Sequence, residues 1–278
     1  MKISVVIPCF NADMFLAETI DSILNQTVKP HEIVIIDDAS SDTSRQIAYE
    51  HLHGRKDIST QSINHEENQG IGVSRQHGVE EAKGDHIAFL SADDVYHPQF
   101  IESSVKYLDG ETATHTDYYR WNYLSNASTI FRAPPYKRQD EFRQLVIKWA
   151  LSKNMFVNFS SIIVPKWWFN HVAFESKLKH GEDLILLLDT VLNDFKWNHV
   201  GEPLLYYRLH PQQGTRTQGR EEWNQLWEYN KERLMKLGVD EETITAAFDV
   251  NRDNTFPSLW RRAISKVQRI RKESKLVS

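Results

Sequence analysis

The first hundred residues alternate between short apolar runs and stretches whose apolar residues recur at helical spacing. Few architectures accommodate that order. Residues 3–7 are β-rich, and Leu16, Ile20, Ile23 and Leu24 form one stripe of a helix expected over 13–26. Residues 32–36 repeat the strand pattern and 42–51 the helical one. Residues 58–64 read as a third strand, polar enough to lie near a sheet edge. A helix over 72–82 follows, and Gly84 then turns the chain into a strand at Ile87. Alternation with short connections demands a largely parallel sheet covered on both faces, so the expected fold class is α/β.

After Leu108 the pattern changes. Residues 114–123 and 128–131 resemble a hairpin pair, followed by Pro134-Pro135 and a helix over 140–151. A short strand at 160–164, a strongly apolar helix at 184–192 and a strand at 203–209 complete this part. Beyond Gly219 the chain is helical or linking, with stripes such as Trp223, Leu226, Trp227, Leu234 and Leu237. The expected organisation is therefore a sheet half (1–112), a mixed half (113–218) and a helical extension (219–278).

Composition narrows the partners. At 278 residues, 40% hydrophobic and 26% charged, the chain matches an ordinary globular protein, and a net charge of −5 argues against nucleic acid bound through bulk charge. Cys9 is the one cysteine, so no intramolecular disulfide forms and a reducing cytosol fits. It closes an apolar strand and reads as a small buried side chain rather than a nucleophile. The N-terminus lacks the features of a leader, and no run reaches the roughly 20 apolar residues of a membrane span. A cytoplasmic protein is expected, with one qualification. Residues 257–278 carry seven basic residues (Arg261, Arg262, Lys266, Arg269, Arg271, Lys272 and Lys275) against the single acid Glu273, with apolar residues at helical spacing between them. Such a helix packs on the body by one stripe or lies on an anionic membrane surface as a peripheral anchor.

Polar clusters fall where strands end. Residues 86–90 run apolar into Ser91-Ala92-Asp93-Asp94, and two adjacent carboxylates at a buried strand end repel unless a cation joins them. A hard divalent metal carrying phosphate oxygens suits that place; a capped helix start explains one Asp but not two. Asp37-Asp38-Ala39-Ser40-Ser41-Asp42 follows the second strand, where Asp42 caps the next helix and Asp38 is free to accept from a nucleobase or ribose. Asn68-Gln69-Gly70-Ile71-Gly72, with Arg75 a turn later, allows close backbone approach at a helix start. Pro8-Cys9-Phe10-Asn11 marks the break of the first strand.

Together these residues resemble the family-2 inverting glycosyltransferases, which have the nucleotide-sugar-binding GT-A fold. The likeness runs through 4–11, Ser22-Ile23-Leu24-Asn25-Gln26-Thr27, 36–43, Asn68-Gln69-Gly70 with Arg75, and Leu90-Ser91-Ala92-Asp93-Asp94. It departs at Ala39, where the family usually has glycine, and at Ser91, where Asp is common. The resemblance implies a Rossmann-like, mainly parallel mixed sheet flanked by helices, here with a C-terminal helical extension. It implies that Asp38 reads the base, commonly uracil, with Pro8 and Phe10 in the same pocket. Arg75 would contact the nucleotide, Asp93 the ribose, and Asp94 the Mn²⁺ or Mg²⁺ that bridges the pyrophosphate.

The second half must supply a base. Gly181-Glu182-Asp183-Leu184 opens the apolar helix and resembles the family's Glu-Asp motif, which makes Asp183 the general base and Glu182 its orienting or acceptor-binding neighbour. Tyr206-Tyr207-Arg208-Leu209-His210 is similar to a family segment whose His meets the metal or diphosphate. Arg216 and Arg220 sit in a stretch suited to a loop closing over the donor, whereas Trp167, Trp168 and Trp197 suit the core better than a sugar platform. The Gln-x-x-Arg-Trp signature of processive members is not found; Asn224-Gln225-Leu226-Trp227 does not match it. The expectation is addition of a single sugar to a glycan or lipid-linked acceptor in cell-surface polysaccharide synthesis. A sugar-phosphate nucleotidyltransferase would need a cationic loop near the first strand, and residues 10–14 hold no basic residue. A catalytically dead sugar-nucleotide-binding module would require loss of Asp94 or Asp183, and both are present.

Overall fold

The computed structural model describes residues 1–152, 156–178, 181–213 and 220–253. Four strands and three helices alternate first: β1 (Ile3–Cys9), α1 (Leu16–Leu24), β2 (Glu32–Asp37), α2 (Ser44–Leu52), β3 (Ser59–Asn64), α3 (Ile71–Glu81) and β4 (His86–Phe89). There follow β5 (Val95–Tyr96), α4 (Phe100–Val105), β6 (Thr112–Asn122), β7 (Ala127–Phe131), α5 (Gln139–Ser152), β8 (Ile162–Pro165), α6 (Glu182–Leu192) and β9 (Lys196–Leu209). Helices α7 (Arg220–Lys236) and α8 (Glu241–Asp253) close the described chain. The expectations for Arg216, for the side chains of Arg220 and Trp223, and for the basic tail at 257–278 lie outside the described residues.

All strands belong to one sheet in the order β3-β2-β1-β4-β8-β6-β9-β5, with β7 paired to β6. The first four are parallel, as their crossover helices require. Strand β8 joins antiparallel to β4 and β6, and β6 and β9 pair in parallel, so the sheet is mixed.

Every residue of β1 and β2 is buried, and the period of two sorts them. Val6, Val34, Ile36 and Phe89 enter one core with Val79 of α3, Phe142 of α5 and Leu187 of α6. Val5, Ile7, Ile33, Ile35 and Ala88 enter the other with Leu16, Ile20 and Ile23 of α1, Ala48 of α2 and Phe100 of α4. Each large aliphatic buried this way contributes about 1.5–3 kcal/mol relative to exposure, so register is strongly specified. Helix α3 lies so close to β1 that a Cβ on Gly78 would run into the Val6 side chain. The polar β3 takes the sheet edge, where one side needs no partner strand.

Trp168 and Trp197 are fully buried, and Trp197 Nε1 donates to Thr190 Oγ1 at 3.2 Å, so both are core residues. Cys9 is buried, and burial followed by the Asp37 charge pushes its thiol up to about 12, which leaves it inert at neutral pH. No helix among the described residues is long and apolar enough to cross a membrane.

Two details differ from expectation. Strand β9 begins at Lys196 rather than 203, because the polar Lys196-Trp197-Asn198-His199 pairs with Thr112–His115 of β6. Strand β5 is two residues long, and only its contact with Tyr206 and Leu205 defines it.

Candidate functional site

The carboxyl ends of β1, β2 and β4 open on the same side of a parallel sheet, where open α/β folds place their ligands. Two left-handed residues shape the first two exits, Asn11 at φ 48° and Ala39 at φ 63°. The loops are laced together. Asn11 N–H donates to Ser40 Oγ, Ser41 N–H donates to Asn11 Oδ1, and Asp13 N–H donates to Asp42 Oδ2. Asp42 also accepts from Ser44 N–H at 2.9 Å, but from one residue before the cap, since Thr43 takes the N-cap of α2 and makes no side-chain capping bond. Its carboxyl falls below the ordinary range: desolvation opposes the shift, and the Ser44 and Asp13 hydrogen bonds overcome it. Pro8 is buried within β1, whereas Phe10 is 50% exposed at the rim.

Asp38, expected to read the base, is buried, and three donors occupy its carboxylate. Gln69 N–H and Gly70 N–H donate to it at 2.9 and 2.8 Å, and the His65 Nδ1 position lies 2.7 Å away. Of about four acceptor sites on a carboxylate, one is left. Asp38 therefore holds the 68–70 loop in place instead of presenting itself to the cleft. His65 in turn meets His77 Nδ1 through its Nε2 at 2.9 Å.

Arg75 and Glu182 are also brought together away from solvent. Their buried ion pair joins α3 to the first turn of α6, and the Arg75 guanidinium lies 4.7 Å over the Phe159 ring. Arg75, expected at the nucleotide, is thus turned into the protein. Glu182 has its side chain committed to Arg75; burial pushes its carboxyl up to about 7 against the pull of the guanidinium. Asp183, the next residue, is half-buried, and one oxygen accepts from Leu184 N–H at 2.7 Å.

The Asp93-Asp94 pair is divided by its surroundings. Asp94, expected at the metal, is 1% exposed; Arg208 N–H donates to one oxygen at 3.0 Å and the Ser160 hydroxyl to the other at 2.7 Å. Burial, then the charge of Asp93, drives its carboxyl well above the ordinary range. Asp93, expected at the ribose, keeps a side chain 28% exposed, and its Oδ2 lies 2.9 Å from His210 Nε2. Of the two carboxylates, Asp93 lies beside His210, and Asp94 is held inside by Arg208 and Ser160.

The Asp93–His210 pair fits a hard divalent cation. His210 Nδ1 lies 3.4 Å from Gln212 Oε1. With its proton on Nε2 the ring donates to Asp93 Oδ2 at 2.9 Å, and with its proton on Nδ1 the bare Nε2 and that carboxylate oxygen are two ligand atoms for one cation. Among the described residues no cluster of three or more His, Cys, Asp or Glu could hold a metal. Two protein ligands completed by substrate phosphates are the usual arrangement for Mg²⁺-type sites.

Residues not singled out by sequence complete the site. The Thr19 hydroxyl lies between the carbonyls of Ala92 and Asp94 and shares its one proton with them, Glu18 pairs with Arg208, and Ser160 anchors Asp94. Ser160 follows Phe159, which packs on Arg75, so a single turn links the Asp94 cluster to the Arg75–Glu182 pair. The sequence carries no local mark for these partners, since Glu18 and Arg208 lie 190 residues apart.

Comparison with known proteins agrees with this arrangement. The model of Glycosyl transferase family 2 matches residues 4–164. EpsH of Bacillus subtilis is 27% identical over 215 residues, covering 75% of this chain and 61% of EpsH, so the chain spans less than two thirds of that relative. The amylovoran biosynthesis glycosyltransferase AmsB of Erwinia amylovora is 24% identical over 228 residues, covering 79% of this chain and 73% of AmsB. The crystal structure of S. aureus TarS 1-349 in complex with UDP-GlcNAc superposes with a TM-score of 0.69 at 19% identity, covering 91% of this chain and 72% of that one. At that identity the likeness speaks for the GT-A fold alone. With the family model spanning more than half of the chain and the ends of β1, β2 and β4, the chain belongs to glycosyl transferase family 2.

Proposed function

We propose that this chain transfers a single sugar, with inversion, from a nucleoside-diphosphate sugar to a hydroxyl of a glycan or lipid-linked acceptor in polysaccharide synthesis. The observation that carries the reading is the approach of the part-exposed Asp93 carboxylate to the buried His210 ring in the loop after β4. Family membership supports it, as do the name of AmsB and the UDP-GlcNAc bound to TarS, which makes UDP-sugars the first donors to test.

In this reading Asp93 and His210 hold Mn²⁺ or Mg²⁺. Bound there, the ion supplies positive charge against the negative charge that builds on the departing diphosphate. Asp94 keeps the strand end rigid from within. Phe10 offers an exposed ring to the base, and Asp38 acts through the Gln69–Gly70 backbone it orders. Asp183 accepts the proton of the acceptor hydroxyl as that oxygen attacks the anomeric carbon opposite the leaving group. The Arg75–Glu182 pair holds the helix turn on which Asp183 sits. The basic tail contacts an anionic membrane surface; pelleting with anionic vesicles that survives deletion of 257–278 contradicts that assignment.

The test is a donor screen with UDP-, GDP- and dTDP-sugars in Mn²⁺ or Mg²⁺, beside Asp183→Asn. Metal-dependent release of the nucleoside diphosphate from a matching donor is expected. Asp183→Asn is expected to bind donor normally but to lose on the order of 10²–10⁴-fold in transfer. Full transfer by that variant removes Asp183 as the base, and no turnover with any donor in either metal contradicts the transferase reading.

A further inference from the structure

We propose that Glu18 and Arg208 are a positioning pair that sets how Asp93 presents its carboxylate, and thereby the affinity of Asp93 and His210 for a divalent cation. The proposal rests on the metal reading of that pair given above.

The backbone around Asp93 is gripped from within. Three successive carbonyls are approached from within: the Thr19 hydroxyl lies 2.9 Å from Ala92 O and 2.8 Å from Asp94 O, with one proton to share between them, and Arg208 Nε donates to Asp93 O at 2.7 Å. The Asp94 carboxylate is held by Arg208 N–H and the Ser160 hydroxyl. With those groups fixed inward, the Asp93 side chain is the one polar group of the segment left to face His210. Arg208 supplies two of these anchors, one from its backbone and one from its guanidinium.

What holds Arg208 is narrow. Its side chain is fully buried, stacked 4.7 Å from Phe15, 4.4 Å from Trp121 and 5.3 Å from Tyr123. Nη2 donates to Glu18 Oε2 at 2.7 Å, and Nη1 finds no acceptor among the described residues. A buried guanidinium is costly without a charged partner; the carboxylate that pairs with it directly is Glu18, 54% exposed on α1, and the buried Asp94 lies within reach of its charge. The His210 ring packs on the same Phe15, at 4.6 Å, and follows Arg208 by two residues, so a displaced Arg208 disturbs both cation-facing groups. Lysine cannot replace it, because one ammonium does not reproduce a planar fork spanning Asp93 O and Glu18.

Mn²⁺ binding to the full chain, followed by EPR in the presence of UDP, tests the pair alongside thermal melting. Glu18→Ala and Arg208→Lys are each expected to weaken Mn²⁺ about tenfold, the scale seen when a group supporting a metal ligand is lost. Glu18→Gln should lose less, because its amide oxygen still accepts from Nη2. Glu18→Ala should melt below wild type, because Arg208 loses its charged partner, so its metal constant is read at a temperature where the variant is fully folded; should Arg208→Lys fail to fold, Glu18→Ala decides. Wild-type Mn²⁺ constants in the Glu18→Ala variant, with loss in Asp93→Asn, overturn the positioning pair and leave the metal reading standing. Wild-type binding by Asp93→Asn overturns both.

Discussion

Ala39 turns the chain at φ 63°, a left-handed conformation that costs an L-residue with a Cβ roughly 1–2 kcal/mol. Its amide neighbour Ser40 donates to Asp37 Oδ1 at 3.0 Å, and that bond together with the Asn11–Ser40 contact keeps the strain in place. Ala39→Gly should therefore raise stability by about 1 kcal/mol in urea unfolding, less the entropy a glycine adds to the unfolded chain. An unchanged or lowered midpoint contradicts strain at this position. The same scale shows where sequence reasoning stops. Asp93 and Asp94 are chemically identical neighbours, and which one turns inward depends on Ser160 and the Arg208 amide, neither adjacent in the chain. Asp38 likewise carried the right residue type, but its donors at Gln69 and Gly70 exist only once β2 and the 68–70 loop meet.

Helix α6 opens at Gly181, left-handed at φ 85°, and a Cβ there would strike Leu226 of α7. The left-handed conformation demands glycine, a Cβ would in addition force the Leu226 side chain to shift, and this residue opens the turn that carries Glu182 and Asp183. Gly181→Ala should cost about 2 kcal/mol or more in thermal or urea melts and reduce transfer more than donor binding. Equal stability would show that the α6–α7 contact yields easily. The sequence anticipated α1 through α3 and β1 through β4, and also β6 through β8, α5 and α6, because each carries its pattern within its own residues. The start of β9 was hidden because Lys196 and Asn198 look polar, and that strand is made by partners on β6 more than eighty residues earlier.

Across the whole molecule, the β6–β9 seam buries a polar cluster unrelated to the cleft. His115 stacks on His199 at 4.7 Å and meets the Tyr136 hydroxyl through Nε2 at 3.0 Å, while His199 Nε2 lies 2.7 Å from Asp117. Burial first, then the His199 charge, pulls the His115 pKa from 6.5 down to about 3. The unfolded chain therefore takes up a proton that the folded protein refuses. The stability this confers is complete above pH 6.5 and lost as pH falls toward 3. Between pH 7.5 and 4.5 the wild type should lose on the order of 2–3 kcal/mol more than His115→Phe, measured by chemical denaturation at each pH. Parallel losses in the two proteins contradict a buried neutral imidazole.

The overall plan was legible because alternating patterns are local, and the approach of Asp93 to His210 was not, because it depends on β9 returning beside β5, the short strand that follows Asp94. The most direct check of the account is therefore calorimetric titration of UDP with Mn²⁺ into Asp93→Asn and Asp94→Asn. Asn at 94 keeps an oxygen for the Arg208 amide and an N–H for Ser160 Oγ, so its affinity should stay within a few-fold of wild type, while Asp93→Asn should lose about tenfold or more. Retained metal-dependent binding in Asp93→Asn, with loss in Asp94→Asn, would contradict the account.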